Sequence, residues 1–196
     1  GDGKSAIAAN LGFSFAQLGR SVIVVDADLR CGKLHRILDV PDRRGVVSVL
    51  RDGMSLAQAI QHSPLADIDV LAAGPEVDNP VELLAQPEFA STLSVLREQY
   101  DVVIIDTPAI LEVTEGSLVA PLADCVLLTL MVRKTLATDA VHARELLDSL
   151  SANVVGVVAN GVEEARSYGY GLDNGHNGNG HRVQRAGTGH ERTTVS

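Results

Sequence analysis

Apolar residues along this chain fall into two kinds of run. One kind is continuous: Val22-Ile23-Val24-Val25, Val102-Val103-Ile104-Ile105 and positions 125–130, with a last strand over 153–158. Runs without alternation read as strands buried on both faces, as in a parallel sheet. The other kind recurs every three or four positions. Ile7, Leu11, Phe15 and Leu18 do so after Ser5, closed by Gly19; Leu136, Ala140, Ala143, Leu147 and Leu150 do so over 135–150. That spacing predicts amphipathic helices, the first stopped by its glycine. Shorter helices are expected at 33–38, 46–50, 55–60, 80–85 and 87–99, with Ser55 as an N-cap and Pro80 and Pro87 in first turns. A short strand ends at 69–71, followed by a Gly/Pro loop over 73–79. Strands alternating with helices give an α/β fold, a mostly parallel sheet flanked by helices.

The pattern stops at Val162. From there to Ser196 the chain is rich in Gly, Asn and His and poor in aliphatics. Such a segment cannot bury enough apolar surface to offset the entropy of ordering it. The reading is therefore one α/β domain over 1–162 and a disordered tail over 163–196, which holds Tyr168 and Tyr170, two of the chain's three tyrosines. The length of 196 residues and hydrophobic content of 45% suit one domain with a sizeable core.

A formal net charge of −9 argues against nucleic acid as a partner and fits a cytosolic surface. Cys31 and Cys125 lie far apart and form no CxxC pair, so neither suggests a metal site; Cys125 reads as a core residue. His176, His181 and His190 lie in the tail; they are metal-ligand types, but isolated histidines in a Gly/Asn segment usually bind nothing. No apolar run reaches the ~18 residues of a membrane helix, and no signal peptide is visible.

The chemistry sits where the strands end. Gly1-Asp2-Gly3-Lys4-Ser5 before a helix reads as the back half of a Walker A phosphate loop. Glycines let backbone N–H groups close around phosphate oxygens, and the helix start adds its positive dipole end. Gly1, Asp2, Gly3 and Ala6 then line the phosphates of ATP, Lys4 reaches the β/γ-phosphates, and the Ser5 hydroxyl ligates Mg2+. Asp26 tips the first buried strand, where ligands of open α/β sheets lie. A carboxylate there needs a cation or donors, and Mg2+ is the natural one. Asp28 lies two residues on. Asp106 tips a second buried strand before Thr107-Pro108, the Walker B arrangement. Arg30, Lys33, His35 and Arg36 form a basic cluster suited to phosphate or to an acidic partner.

At these residues the chain resembles a known family. Ile23-Val24-Val25-Asp26-Ala27-Asp28-Leu29-Arg30 resembles the A-prime motif, D-x-D-x-R, of the bacterial tyrosine kinases of capsule and exopolysaccharide biosynthesis. Asn79-Pro80-Val81-Glu82-Leu83-Leu84, the 101–108 segment and 156–162 extend the resemblance from Gly1 to about Val162. The resemblance implies the MinD/ParA-like class of P-loop NTPases. It implies an ATP- and Mg2+-dependent protein-tyrosine autokinase regulating polysaccharide polymerisation and export. Ser5, Asp26 and Asp106 would hold the metal, Lys4 and Arg30 the nucleotide, and Asp28 would draw the proton from an incoming tyrosine. Lys4, Asp26, Asp28 and Asp106 are thus the expected catalytic set. Tyr168 and Tyr170 would be the phosphoacceptors, modified by neighbouring subunits of a ring. Further implied partners are a membrane chain-length-determinant domain, fused or separate, that activates the kinase, and a cognate tyrosine phosphatase. The implied location is cytoplasmic, at the inner face of the cell membrane. The front half of the phosphate loop and the strand before it would precede Gly1, and that strand would be central in the sheet. Ala109 stands where the family usually has a second Pro, and Glu115 where Asp is common. Two other readings share the Walker motifs: a dimerising switch ATPase of the septum-site and partitioning type, and a kinase-like regulator that binds ATP with little phosphotransfer.

Overall fold

The computed structural model describes residues 3–162. In chain order the elements are α1 Lys4–Gln17, β1 Val22–Asp26, α2 Leu34–Ile37, α3 Val46–Asp52, α4 Leu56–Ala59, β2 Gln61–His62, β3 Asp69–Leu71, α5 Pro80–Leu84 and α6 Pro87–Gln99. There follow β4 Val102–Asp106, α7 Glu115–Val119, a short 3₁₀ turn at Ala120–Leu122, β5 Val126–Met131, α8 Ala137–Ser149 and β6 Val154–Asn160. No helix among the described residues is long and apolar enough to cross a membrane.

The strands form two sheets. One has the order β2-β3-β1-β4, the other is the pair β5-β6. β1 is parallel to both β3 and β4, and β5 is parallel to β6; only β2 runs antiparallel, against β3. The expected parallel α/β architecture is present. The two-residue β2 and the five-residue α7 were not expected from the sequence. Both are too short for periodicity to register.

The core lies around β1, whose five residues are all buried. On one face Ile23, Val25 and Leu71 pack with Phe89, Leu93 and Leu96 of α6 and with Leu83 and Leu84 of α5. On the other Val24 and Val70 pack with Leu34, Leu38, Ile68 and the small residues Ala8 and Ala9 of α1. Pro80 starts α5 as the sequence suggests. Asn79 caps it by accepting the Glu82 N–H and donating its amide to the Glu82 carboxylate.

Between β4 and β5 runs an open apolar cleft of about 1000 Å³. Each of these strands has a neighbour on one side only. Ile7, Leu11 and Phe15, the stripe that marks α1 in the sequence, line this cleft, and of the three only Phe15 also packs against the core around Val24 and Val70. Leu18 is three-quarters exposed. Cys125, expected in the core, is exposed at the cleft just before β5, because no strand covers that edge.

Candidate nucleotide and phosphotransfer site

Three segments converge at the carboxyl ends of β1 and β4. Gly3 is the N-cap of α1 with φ 81°, a left-handed conformation that favours glycine. A Cβ on Gly3 would also collide with the side-chain amide of Asn160, at the end of β6. Lys4 and Ser5 follow as the first helical residues, and Ala6 is exposed on the first turn. β1 and β4 pair in register to their last residues, so Asp26 lies opposite Asp106.

Both acids are buried, Asp26 completely. Burial, followed by the charge of Asp106, pushes the Asp26 carboxyl up to about 7; the backbone N–H groups of Leu34 and Asp28 pull it back. Burial also lifts Asp106 to about 6. There the Ser5 hydroxyl and the Lys4 ammonium oppose the rise, while the Asp28 charge adds to it. These influences put Lys4, Ser5, Asp26, Asp28 and Asp106 in one electrostatic neighbourhood.

The loop after β1 is wrapped around Asp26. Its Oδ1 accepts the Asp28 N–H at 3.1 Å and its Oδ2 the Leu34 N–H at 3.1 Å. Asp28 Oδ1 in turn accepts the Cys31 N–H at 3.0 Å. Gly32 closes the wrap: a Cβ there would lie 2.7 Å from Asp26 Oδ2 and 2.9 Å from the Ala73 Cβ.

Mg2+ fits this set. Asp106 Oδ2 is buried and has no hydrogen-bond partner among the described residues. Two buried carboxylates held above their usual range are the electrostatic signature of a place that a cation completes. No three His, Cys, Asp or Glu side chains among the described residues form a protein-only metal cage. Mg2+ characteristically takes one or two carboxylates and completes its octahedron with phosphate oxygens and water.

Three members of the expected basic cluster have partners of their own. Arg30 donates from Nε to Glu115 Oε1 at 2.6 Å. His35 faces Asp42 at 3.3 Å, and Arg36 Nε donates to His35 Nε2 at 3.2 Å. Gly1, Asp2, Tyr168, Tyr170 and the tail histidines lie outside the described residues. Tyr100, the one tyrosine among the described residues, precedes β4 at the far end of the sheet. Its hydroxyl donates to Asp69 Oδ2 at 2.6 Å, and burial with that carboxylate holds its pKa well above the usual phenol range.

Sequence reasoning missed three site residues: Glu115, Gly32 and Asn160. Gly32 lies in the loop just after D-x-D-x-R, and Asn160 lies within the 156–162 segment, but neither carries chemistry that its residue type announces. Glu115 stands out in the sequence only as a departure from the family's Asp; as the first residue of the five-residue α7 it carries no periodicity that signals burial.

A glycine-led phosphate loop at a helix start, facing acid-tipped parallel strands, defines a P-loop nucleotide-binding domain. A family model described as an AAA domain matches residues 1–149. The tyrosine-protein kinase YwqD of Bacillus subtilis is 36% identical over 171 residues, 87% of this chain and 72% of that protein. The crystal structure of the VpsO kinase domain superposes with a TM-score of 0.78 at 29% identity, covering 83% of this chain and 80% of that one. The cell-division ATPase MinD of Pyrococcus furiosus superposes with a TM-score of 0.69 at 25% identity, covering 81% and 67%. The chain belongs to the bacterial tyrosine-protein kinases, a branch of the P-loop NTPases with a MinD-like fold.

Proposed function

We propose that this chain transfers the γ-phosphoryl group of ATP to tyrosines of its own C-terminal segment, Tyr168 and Tyr170, and that this activity regulates capsule or exopolysaccharide assembly. The observation that carries the reading is Asp28. It stands on the loop that wraps around Asp26, beside Asp106, yet among the described residues its side chain takes only the Cys31 N–H. A carboxylate there is placed to receive the proton of a tyrosine hydroxyl while the oxygen attacks phosphorus. Lys4 and the N–H groups at the start of α1 would hold the β- and γ-phosphates; Ser5 and Asp106 would hold Mg2+, with Asp26 behind them through its remaining lone pairs. When bound, Mg2+ neutralises charge on the transferring phosphoryl group. Asp26 also fixes the backbone of the Asp28 loop, so positioning supplies much of the rate. Tyr100 is no acceptor in this scheme, because its hydroxyl is tied to Asp69 at the opposite end of the sheet.

The polysaccharide role rests on relatives' names, among them a tyrosine-protein kinase named for the cps region of Klebsiella pneumoniae, 29% identical over 169 residues. The partners proposed with it are neighbouring kinase subunits in a ring, a membrane activator domain and a tyrosine phosphatase, at the inner face of the cell membrane. The chain spans 72% of YwqD but 23% of the tyrosine-protein kinase Etk of Escherichia coli, so the length of protein around this domain differs widely between relatives.

The test is to incubate the protein with Mg-ATP and map phosphotyrosine by mass spectrometry beside Lys4→Met and Asp28→Asn. Phosphate on Tyr168 or Tyr170, reduced at least about 100-fold in both variants, is the expected result. ATP hydrolysis without phosphotyrosine would overturn the kinase reading in favour of a nucleotide-driven switch.

A further inference from the structure

Glu115 is the most deeply buried acid whose purpose the scheme above leaves open. The residue has no solvent exposure, its Oε1 takes the short bond from Arg30 Nε, and its Oε2 is buried with no partner among the described residues. A carboxylate held this way is a poor way to stabilise a core. Its desolvation is offset by one charge-assisted bond, and an apolar residue of the same volume often serves folding as well or better. The function of the pair therefore lies in what it fixes.

We infer that Glu115, acting through Arg30, is a positioning residue that holds the Asp28 loop in its phosphotransfer geometry; this rests on the kinase reading above. Arg30 belongs to that loop, two residues after Asp28. Its side chain is about half exposed and makes no other hydrogen bond or ion pair among the described residues, so Glu115 alone fixes its direction. Glu115 opens α7, nine residues after Asp106, and α7 packs on α5 through the cluster that contains Leu83, Leu84 and Val119. The capped Asn79-Pro80 turn fixes the start of α5. A continuous path thus runs from the N-P-x-E-L-L helix through α7 and Glu115 to Arg30 and the Asp28 loop. The two sequence elements that set this chain apart from other P-loop ATPases, N-P-x-E-L-L and D-x-D-x-R, are joined by a residue that belongs to neither. The pair spans 85 positions of sequence and connects the segment that follows β4 to the one that follows β1.

The experiment compares the whole protein with Glu115→Gln, Glu115→Asp, Arg30→Gln and the double variant Arg30→Gln/Glu115→Gln. The readouts are kcat for tyrosine phosphorylation, KM for ATP, Tm, and hydrogen exchange of the Asp28, Cys31 and Leu34 amides, which the loop's carboxylates hold. Glu115→Gln keeps the shape and removes the charge. It is expected to lower kcat at least about tenfold, with KM for ATP changed less than about threefold, and Tm unchanged or raised. Exchange of the three amides should quicken at least about tenfold. Glu115→Asp should retain kcat within about threefold because Arg30 can follow the shorter acid, and the double variant should be no worse than either single one. A fall in kcat only in step with Tm, or additive effects of the two substitutions, would overturn the inference. Unchanged amide exchange in Glu115→Gln would overturn it as well, and that readout needs no catalysis. Absence of tyrosine phosphorylation in the parent protein, with the amides still released by Glu115→Gln, would instead overturn the kinase reading and leave the Glu115 clamp standing.

Discussion

The four-stranded sheet and the β5-β6 pair are built from the same kind of sequence and end in different states. Val22-Ile23-Val24-Val25 is sealed, each residue 2% exposed or less. Val155 and Val157 of β6 are 57% and 56% exposed, and Leu127 of β5 is 41% exposed. No residue of β5 or β6 is fully buried. The difference lies in the neighbours and not in the strands. β1 has a strand on each side and a helix layer on each face, whereas β5 pairs only with β6 and borders the cleft. An aliphatic run states that a strand is fit to be covered on both faces; it does not state that a cover is present.

The strongest way to break this contrast is to fill the cleft. β4 and β5 both present unpaired edges, and Ile7, Leu11 and Phe15 offer an apolar floor. A segment of six to eight aliphatic residues joined ahead of Gly1 is expected to enter as a strand between them, with its carboxyl end arriving at the phosphate loop. Each aliphatic side chain buried there is worth about 1.5–3 kcal/mol before ordering costs of about 1–2 kcal/mol per residue. The net is a rise in Tm of roughly 5–10 °C, together with slowed amide exchange along β5. The same segment carrying two aspartates at inward positions is the control. Equal Tm for the two fusions would show that the cleft does not accept a strand.

Much of this architecture was legible because continuous aliphatic runs and helical spacing are strong signals. The termini of β1 and β4 and the proline-led starts of α5 and α6 follow directly from sequence. The acids at the strand tips were legible for the same reason: a carboxylate ending an all-aliphatic run is chemically out of place unless it serves a ligand. What stayed hidden depends on contacts distant in sequence. Ile7 and Leu11 look like core positions, yet small residues, Ala8 and Ala9, make the close approach of α1 to the sheet. Cys125 sits in an apolar run but at an uncovered edge. Glu115 reads as a surface acid until Arg30, 85 residues away, is placed against it. Gly32 reads as a loop glycine until Asp26 Oδ2 is found where its side chain would be.

Matched truncations sharpen the comparison at the level of single side chains. Ile23→Ala removes a sealed side chain between α6 and the sheet, and should cost about 2–5 kcal/mol in urea unfolding, because the neighbours cannot collapse into the void. Val157→Ala, on a face more than half exposed, should cost under about 1 kcal/mol. In the strand-filled fusion the cost of Val157→Ala should stay small while that of Leu130→Ala, which borders the cleft, should rise. A Val157→Ala penalty equal to that of Ile23→Ala would mean that β6 is covered in solution.

The last comparison sets the two acid-tipped strands against the rest of the surface, and its sign is set by burial. Asp26 and Asp106 are raised in the folded chain to about 7 and about 6, from an ordinary value of 3.8. Between these limits the folded state holds protons that the unfolded state has released. Stability contributed by these groups is therefore fully present below pH 4 and is lost as pH rises toward 7. Without Mg2+ and nucleotide, the protein should lose roughly 2–4 kcal/mol from this source between pH 5 and 7.5. Asp26→Asn, which keeps the shape without the charge, should flatten that slope. Adding Mg2+ with ADP should flatten it too, because a bound cation favours both carboxylates in their ionised form and releases their protons. The check is Tm against pH for the parent protein and Asp26→Asn, each with and without Mg-ADP. A parent profile that rises from pH 5 to 7.5 as steeply as that of Asp26→Asn would show that the strand-tip acids are already ionised without a cation. The site would then owe its readiness for Mg2+ to geometry alone.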